Sequence, residues 1–359
     1  MNKISGYLEL KIKMLEMISD LNTDARLESR VHLAKKYGVN KTTVERAISE
    51  LIGEGYLYSK DKSGTYVSGH NKLLKEQSNS HGLKSLAVII PNIMSDIYPG
   101  LLRGVEDIAI ETGINVIICN TDNDEKKQNR YIENMISSGV GGLIIIPVIT
   151  NNRNIEPILR LKKESIPFVF CNRQIYDIEA PSVCSNNFYG AYIATKRLIS
   201  QGYRNIAYIS RPVYVTSMER YQGYMAAIID SGLSFIEDYA AFEANFYLKG
   251  TGYDITKEML EKHPEIDGIL AFNDMVATGV YNAIIDTGKM IGRDIGVIGY
   301  DNTNICESLP CKLTSVDYKS YEIGTKAAII LKEIYEGKKV NENVILNPEL
   351  VIRESCSRG

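Results

Sequence analysis

The stretch Asp267-Gly268-Ile269-Leu270-Ala271-Phe272-Asn273-Asp274, with Ile295-Gly296-Val297-Ile298-Gly299-Tyr300-Asp301 downstream, decides how the chain reads. Each half is an apolar run that stops on an amide or a carboxylate, and residues 275–286 between them have helix-like spacing. A short continuous apolar run bounded by polar residues predicts a strand covered on both faces. Strand, helix and strand in that order form a βαβ unit. Its polar ends, Asn273 and Asp301, then fall at the carboxyl edge, where open α/β sheets hold small ligands.

Upstream, the same alternation starts at Ser85. Strands are expected over residues 86–90, 115–119, 142–146 and 168–171, ending at Asn92, Asn120-Thr121-Asp122, Pro147 and Asn172-Arg173. A second series follows a helix near residues 189–201. It has strands at 206–209, ending on Ser210-Arg211, a weaker one at 240–242, and the two quoted above. Two successive parallel sheets flanked by helices imply an α/β fold of two lobes, with carboxyl edges able to face one another across a cleft. Asn92, Asn120, Asp122, Asn172, Arg173, Arg220, Asn273 and Asp301 are the side chains so placed. Carboxylate and guanidinium groups bond vicinal hydroxyls in pairs, and an aromatic face covers the apolar side of a ring, so the set suits a polyhydroxylated ligand. Asn and Asp also cap helices and turns; for Asn92, Asn120 and Asp122 the two readings stand level, and Asp274 reads as a helix-start residue.

The first seventy residues follow a different pattern. Ile4, Leu8, Ile12, Leu15 and Ile18 predict one face of an amphipathic helix, and Leu27, Val31, Leu33, Ala34 and Tyr37 a second, shorter one. Gly38-Val39-Asn40 makes a turn, and Val44, Ala47, Ile48, Leu51 and Ile52 give the third helix its apolar face. Two short helices about a glycine turn make a helix-turn-helix. Its exposed face gathers Arg30, Lys35, Lys36, Lys41 and Arg46, with Glu45 the opposing charge. Residues 56–58 and 65–67 then predict a hairpin around Lys60-Asp61-Lys62-Ser63-Gly64, a wing with a basic tip. Arg30, Lys41, Thr42, Thr43, Arg46, Lys62 and Gly64 are the expected contacts to the phosphates and base edges of duplex DNA.

Composition limits the alternatives. Of 359 residues, 44% are hydrophobic and 24% charged, as in an ordinary globular protein, with a formal net charge of -3. Residues 1–70 carry 11 Lys and Arg against 9 Asp and Glu, leaving 30 against 35 for the rest, so the slight basic excess sits in the amino-terminal part. No signal peptide or membrane-spanning run is visible, and the six cysteines lack metal-site spacing; a cytoplasmic protein with free thiols and no metal or cofactor is expected. Nucleotide-loop, zinc-protease and serine-hydrolase motifs are missing, so no catalytic residue is expected. Residues 1–69 read as one domain, 70–84 as a linker and 85–359 as a second domain.

Leu33-Ala34, Gly38 to Val44, Arg46-Ala47-Ile48, Glu54-Gly55-Tyr56 and Gly64-Thr65-Tyr66-Val67 resemble the winged helix of the GntR family. Residues 85–355 are similar to the effector domain of the LacI/GalR family, related to type I periplasmic sugar-binding proteins. The likeness runs through Leu101 to Glu106, Asn172-Arg173, Ser217 to Arg220, Phe272-Asn273-Asp274, Tyr300-Asp301 and Leu313 to Val316. Carried over by position, it implies ligand contacts at Tyr98, Asn172, Arg173, Arg220, Asn273, Asp301 and Tyr318. It also implies three chain crossings between the lobes, near residues 184–187, 313–317 and 339–343. The family's own DNA-binding headpiece is replaced here by the GntR-type wing, an arrangement similar to that of arabinose repressors. The resemblance implies a homodimeric repressor, not an enzyme, that binds operator DNA and is released by a small sugar, first a pentose such as L-arabinose. A nucleobase or sugar-phosphate co-repressor, with Arg211 as an extra cation, is the second expectation; a carbohydrate-binding or glycan-processing protein that does not regulate is the third.

Overall fold

In the computed structural model, residues 6–19, 21–53, 55–60, 63–68, 83–149, 154–243 and 252–358 are described. Contacts divide the chain into two units, Met1–Gly82 and Leu83–Gly359. Lys62, Glu54 and most of the expected linker lie outside the described residues.

The first unit contains helices α1 (Gly6–Ser19), α2 (Arg30–Tyr37) and α3 (Lys41–Gly53), then strands β1 (Leu57–Lys60) and β2 (Gly64–Val67). Its core joins Leu10, Met14 and Ile18 to Leu33, Val44, Ile48, Leu51, Leu57 and Val67. The apolar stripe of α1 therefore runs through positions 10, 14 and 18. Of the face expected there, Ile18 is buried and Leu15 half-buried; Ile4 and the side chains of Leu8 and Ile12 fall outside the described residues. Two further expectations change. Leu27 is buried but precedes α2, and Val31 is exposed, because α2 starts at Arg30 and turns Leu33 inward instead. Gly38 ends α2 at φ 64, a left-handed conformation that costs glycine little, and its N–H donates to the Ala34 carbonyl. The hairpin pairs Leu57 with Val67 and Lys60 with Gly64. The segment before α2 joins its outer edge through Leu27 N–H to the Thr65 carbonyl at 2.8 Å and Val67 N–H to the Ala25 carbonyl at 2.9 Å.

Among its described residues the second unit holds two six-stranded sheets. One is built from β3 (Ser85–Ile90), β4 (Asn115–Asn120), β5 (Leu143–Ile145), β6 (Phe168–Cys171), β7 (Ser182–Ser185) and β13 (Asn343–Leu346), in the order β13-β7-β6-β5-β3-β4. Helices α4 (Ile97–Glu111), α5 (Glu125–Ser137) and α6 (Glu156–Lys163) alternate with its strands. The other sheet uses β8 (Ile206–Ser210), β9 (Ala240–Phe242), β10 (Gly268–Ala271), β11 (Gly296–Tyr300), β12 (Thr314–Asp317) and β14 (Glu349–Val351), in the order β14-β12-β11-β10-β8-β9. Its connections include α7 (Asn187–Ser200), α8 (Val215–Asp230), α9 (Tyr253–Lys262), α10 (Asp274–Asp286) and α11 (Ile305–Ser308). Finally α12 (Ser320–Tyr335) returns to the first lobe and packs on α4. Among the described residues of these two sheets, every pairing is parallel except β12 with β14.

β3, β5, β6, β8, β10 and β11 are buried along almost their whole length, as consecutive apolar runs require. The run at β4 departs from this: Ile117 and Ile118 are exposed, because β4 is last in its sheet and has one neighbour. β7 and β12 were not expected as strands, since they carry Ser182, Ser185, Thr314 and Ser315 where a covered strand would be apolar. The chain passes between lobes at Asn186, at Tyr318-Lys319 and at Asn347-Pro348. The first crossing lies where it was expected. The second falls just past residues 313–317, because Thr314–Asp317 form β12. The third falls beyond 339–343, because β13 must finish pairing with β7 before the chain can leave.

Candidate functional site: an interlobe cleft and a recognition helix

A cleft of about 450 Å³ opens at the carboxyl edges of the two sheets, with Tyr98, Asn172 and Arg173 from the first lobe and Arg220, Phe272, Asn273 and Asp301 from the second. That volume suits a small ligand.

The second-lobe wall is built outward from β10 and β11. Asn273 leaves β10 extended and caps α10, its Oδ1 accepting from Val276 N–H at 2.9 Å. Asp274, the first residue of α10, is 1% exposed, and its carboxylate accepts from Ser315 Oγ at 2.6 Å, Thr303 N at 2.7 Å and Thr303 Oγ1 at 3.0 Å. Burial raises its pKa, and these hydrogen bonds oppose the rise. β11 passes so close that a Cβ at Gly299 would meet Asp274 Oδ1 at 2.3 Å, so only glycine fits there. Asp274 therefore does more than start a helix: it clamps the loop after β11 to α10.

Asp301 directly follows β11 in a positive-φ conformation (φ 98), anchored by its N–H to the Val316 carbonyl. Facing it is Arg220 of α8, a buried guanidinium that lies 3.5 Å over the Tyr300 ring and 4.4 Å from the Phe272 ring centroid. Arg220 donates from Nε to Asn187 Oδ1 at 3.1 Å and from Nη1 to the Phe272 carbonyl. Asn187 in turn donates to Glu219 Oε2 at 3.0 Å. Arg220 Nη2 stands 3.6 Å from Asp301 Oδ1, close enough for charge attraction but too far for a hydrogen bond, and Asp301 Oδ1 is buried without a hydrogen-bond partner among the described residues. Burial pushes the Asp301 carboxyl up to about 7; Arg220 opposes the shift, and the neighbouring Asp274 charge adds to it.

The first-lobe wall is less tied. Arg173 Nη1 is buried without a hydrogen-bond partner among the described residues, with its guanidinium 6.0 Å from the Tyr214 ring centroid. Tyr98, on α4, has its hydroxyl pKa raised by burial and partly restored by Arg173. Asn172 takes a positive φ of 64 and lines the cleft. A cleft with a buried acceptor on one wall and a buried donor on the other offers hydrogen bonds to a neutral polar ligand.

Tyr318 departs from its expected place. It is fully buried and does not line the cleft; as the first residue past β12 it turns inward, where its hydroxyl donates to Asn172 Oδ1. Asn92 and Asp122 border the cleft, whereas Asn120 is spent on the loop, accepting from Ile93 N–H and donating to Asp122. Arg211 lines the cleft with Glu243 3.0 Å away, so its charge is already matched. Tyr214 was missed: it stands at the start of α8, lines the cleft, and burial raises its hydroxyl to about 12. The available signal was an aromatic residue four positions beyond the polar end of a covered strand.

In the first unit, Asn40 caps α3, its Oδ1 accepting from Thr43 N at 2.8 Å and Thr43 Oγ1 at 2.6 Å. Thr43 is thus engaged in the cap, while Thr42, Glu45, Arg46 and Ser49 form the outward stripe, opposite buried Val44, Ala47, Ile48 and Leu51. Lys41 lies 3.8 Å from Glu45, and Arg46 Nε 3.7 Å from Glu50. Arg30 is exposed at the start of α2, and Gly64 opens β2 at φ 128 with Arg26 against it.

Residues 84–354 match the family described as periplasmic binding proteins and sugar binding domain of LacI family, and residues 7–67 match the bacterial regulatory proteins of the gntR family. The chain is 27% identical to an arabinose metabolism transcriptional repressor of Geobacillus stearothermophilus, over 97% of both chains. It is 29% identical to a ribose operon repressor of Halalkalibacterium halodurans, over 91% of this chain and 96% of that one. A solved LacI family transcriptional regulator from Enterococcus faecium, with bound ribose, superposes with a TM-score of 0.66 at 28% identity, covering 77% of this chain and 99% of that one.

Proposed function

The chain belongs to the family of periplasmic binding proteins and LacI-type sugar-binding domains and carries a GntR-type reader; it is a sugar-responsive transcriptional repressor of that combined kind, and we propose that its effector is a pentose, L-arabinose first. The observation that carries the reading is the pair of buried, incompletely bonded groups on opposite walls, Asp301 Oδ1 and Arg173 Nη1. A neutral polyol supplies a donor to the first and an acceptor to the second. In this reading Tyr98, Asn172, Arg173, Arg220, Asn273 and Asp301 contact the sugar, and Tyr318 acts through Asn172. Relatives named for arabinose and for ribose both support a pentose. An anionic ligand fits less well, because Asp274 and Asp301 stand on the wall that would receive it and Arg211 is matched by Glu243.

Regulation follows from linkage. The protein binds operator DNA as a homodimer, two recognition helices meeting two half-sites through Lys41, Thr42, Arg46 and the wing. Sugar that closes the cleft releases DNA when it favours the released state by a coupling energy of about 1–3 kcal/mol or more. A thermal-shift series across pentoses, hexoses and their phosphates identifies the ligand, since a selective ligand stabilises only the folded state. A gel-shift titration with that ligand should then weaken operator binding. If no sugar at saturating concentration loosens the complex, the inducer reading fails.

A further inference from the structure

The outward stripe of α3 carries a charge that does not suit a surface apposed to phosphates. Thr42 lies three and four residues before Glu45 and Arg46, and Ser49 four and three after them, so the four share one face. Glu45 is exposed in the middle of that stripe, between Lys41 at 3.8 Å and Arg46, its neighbour in sequence. A carboxylate against a phosphate is a like-charge contact, and so the backbone of the duplex repels it. The groove floor differs. A carboxylate accepts hydrogen bonds and donates none, and the major-groove donors are the exocyclic amines of cytosine and adenine. Adenine N6 is flanked by two acceptors that repel a carboxylate, its own N7 and thymine O4; cytosine N4 has one beside it, the O6 of its paired guanine.

We propose that Glu45 selects one base pair in each operator half-site by accepting a hydrogen bond from N4 of cytosine. Lys41 holds the carboxylate over the groove and offsets its charge, leaving Arg46 to keep the stripe attractive to DNA. The inference rests on the DNA-reading role proposed above and adds to it a residue and a base.

The test is selection of bound duplexes from a randomised half-site library at one salt concentration, using the full chain with Glu45, with Glu45→Ala and with Glu45→Gln, followed by anisotropy titrations on the chosen duplexes. The unaltered chain should prefer C·G at one position of each half-site by about 10-fold. Glu45→Ala should lose that preference alone and keep the others. Glu45→Gln should move it toward adenine, whose N6 and N7 an amide can pair together. The proposal is overturned if Glu45→Ala keeps the same preference at every position. It is equally overturned if that variant tightens binding to all duplexes alike, which would make Glu45 a damper on phosphate attraction. If the unaltered chain binds every duplex equally, and Lys41→Ala and Arg46→Ala change nothing, the DNA-reading role itself falls and the inference falls with it.

Discussion

Arg46 and Arg220 are the same side chain held in opposite surroundings. The Arg46 side chain is 69% exposed beside Glu50; that of Arg220 is 3% exposed, enclosed by aromatic rings and facing Asp301. An exposed pair is worth about 0–1 kcal/mol and is screened by salt. Glu50 can therefore be exchanged for a phosphate at little cost. A buried pair is neither screened nor cheaply broken, and removing one member strands the other in a low dielectric. The contrast assigns two kinds of sensitivity to two units of one chain. On the proposed reading the recognition helix responds to charge density and salt, and the cleft to the shape and hydrogen-bonding pattern of what enters it.

The largest effect that would break this contrast lies at Arg220. Arg220→Ala leaves Asp301 buried without its counter-charge and should cost about 3–5 kcal/mol in urea unfolding, as well as abolishing the sugar-induced thermal shift. A loss below about 1 kcal/mol would show that water reaches the pair and that the cleft is no more insulated than the helix.

Next comes Asp301, whose carboxyl is held up to about 7 against roughly 3.9 for an ordinary aspartate. Between those values the folded protein keeps a proton that the unfolded chain has released. This contribution to stability is thus fully present below about pH 4 and is lost as pH rises through about 7. Asp301→Asn removes that slope while Asp274 retains its own, so the stability of the unaltered chain relative to the variant should decline from pH 4 to 8. Unfolding curves at four or five pH values check it; parallel profiles would mean that Asp301 titrates as though exposed.

A smaller effect sharpens the other side. Asn40→Ala deletes the cap of α3 and should cost about 1 kcal/mol, seen as a lower unfolding midpoint of the first unit. Smallest in stability are Lys41→Ala and Arg46→Ala, within about 0.5 kcal/mol, yet each should reduce the slope of log affinity against log salt by about 1. Salt dependence without stability loss at Arg46, and stability loss at Arg220, is the pattern the comparison requires.

What could be read in the sequence follows the same division between covered and half-covered positions. Strands such as β10 and β11 announce themselves because both faces are buried and every residue is apolar. β7 and β12 do not, because they carry the chain toward the crossings, and Ser182 and Ser315 spend their hydroxyls on Gln174, Asn343 and Asp274. Arg173 stood out at sequence level because turn chemistry gives no reason for an arginine directly after a covered strand. Tyr318 is a ligand contact by carried-over position alone, and its inward turn could not be read, since periodicity carries no information on which way a residue turns after a strand ends. Tyr214 went unnoticed for a related reason: it heads a helix without serving as an ordinary polar cap.

The triple passage of the chain between lobes also governs the order of assembly on the ribosome. The first sheet begins at Ser85, yet its edge strand β13 and the helix that packs on α4 are encoded after residue 319. The second sheet likewise waits for β14 at Glu349–Val351. Neither lobe can therefore close while the nascent chain is short, whereas the core of the first unit, whose described residues run from Leu10 to Val67, can form as soon as that stretch emerges. Loop closures of this span make for slow folding. During synthesis the DNA reader is finished long before the sensor that is to control it.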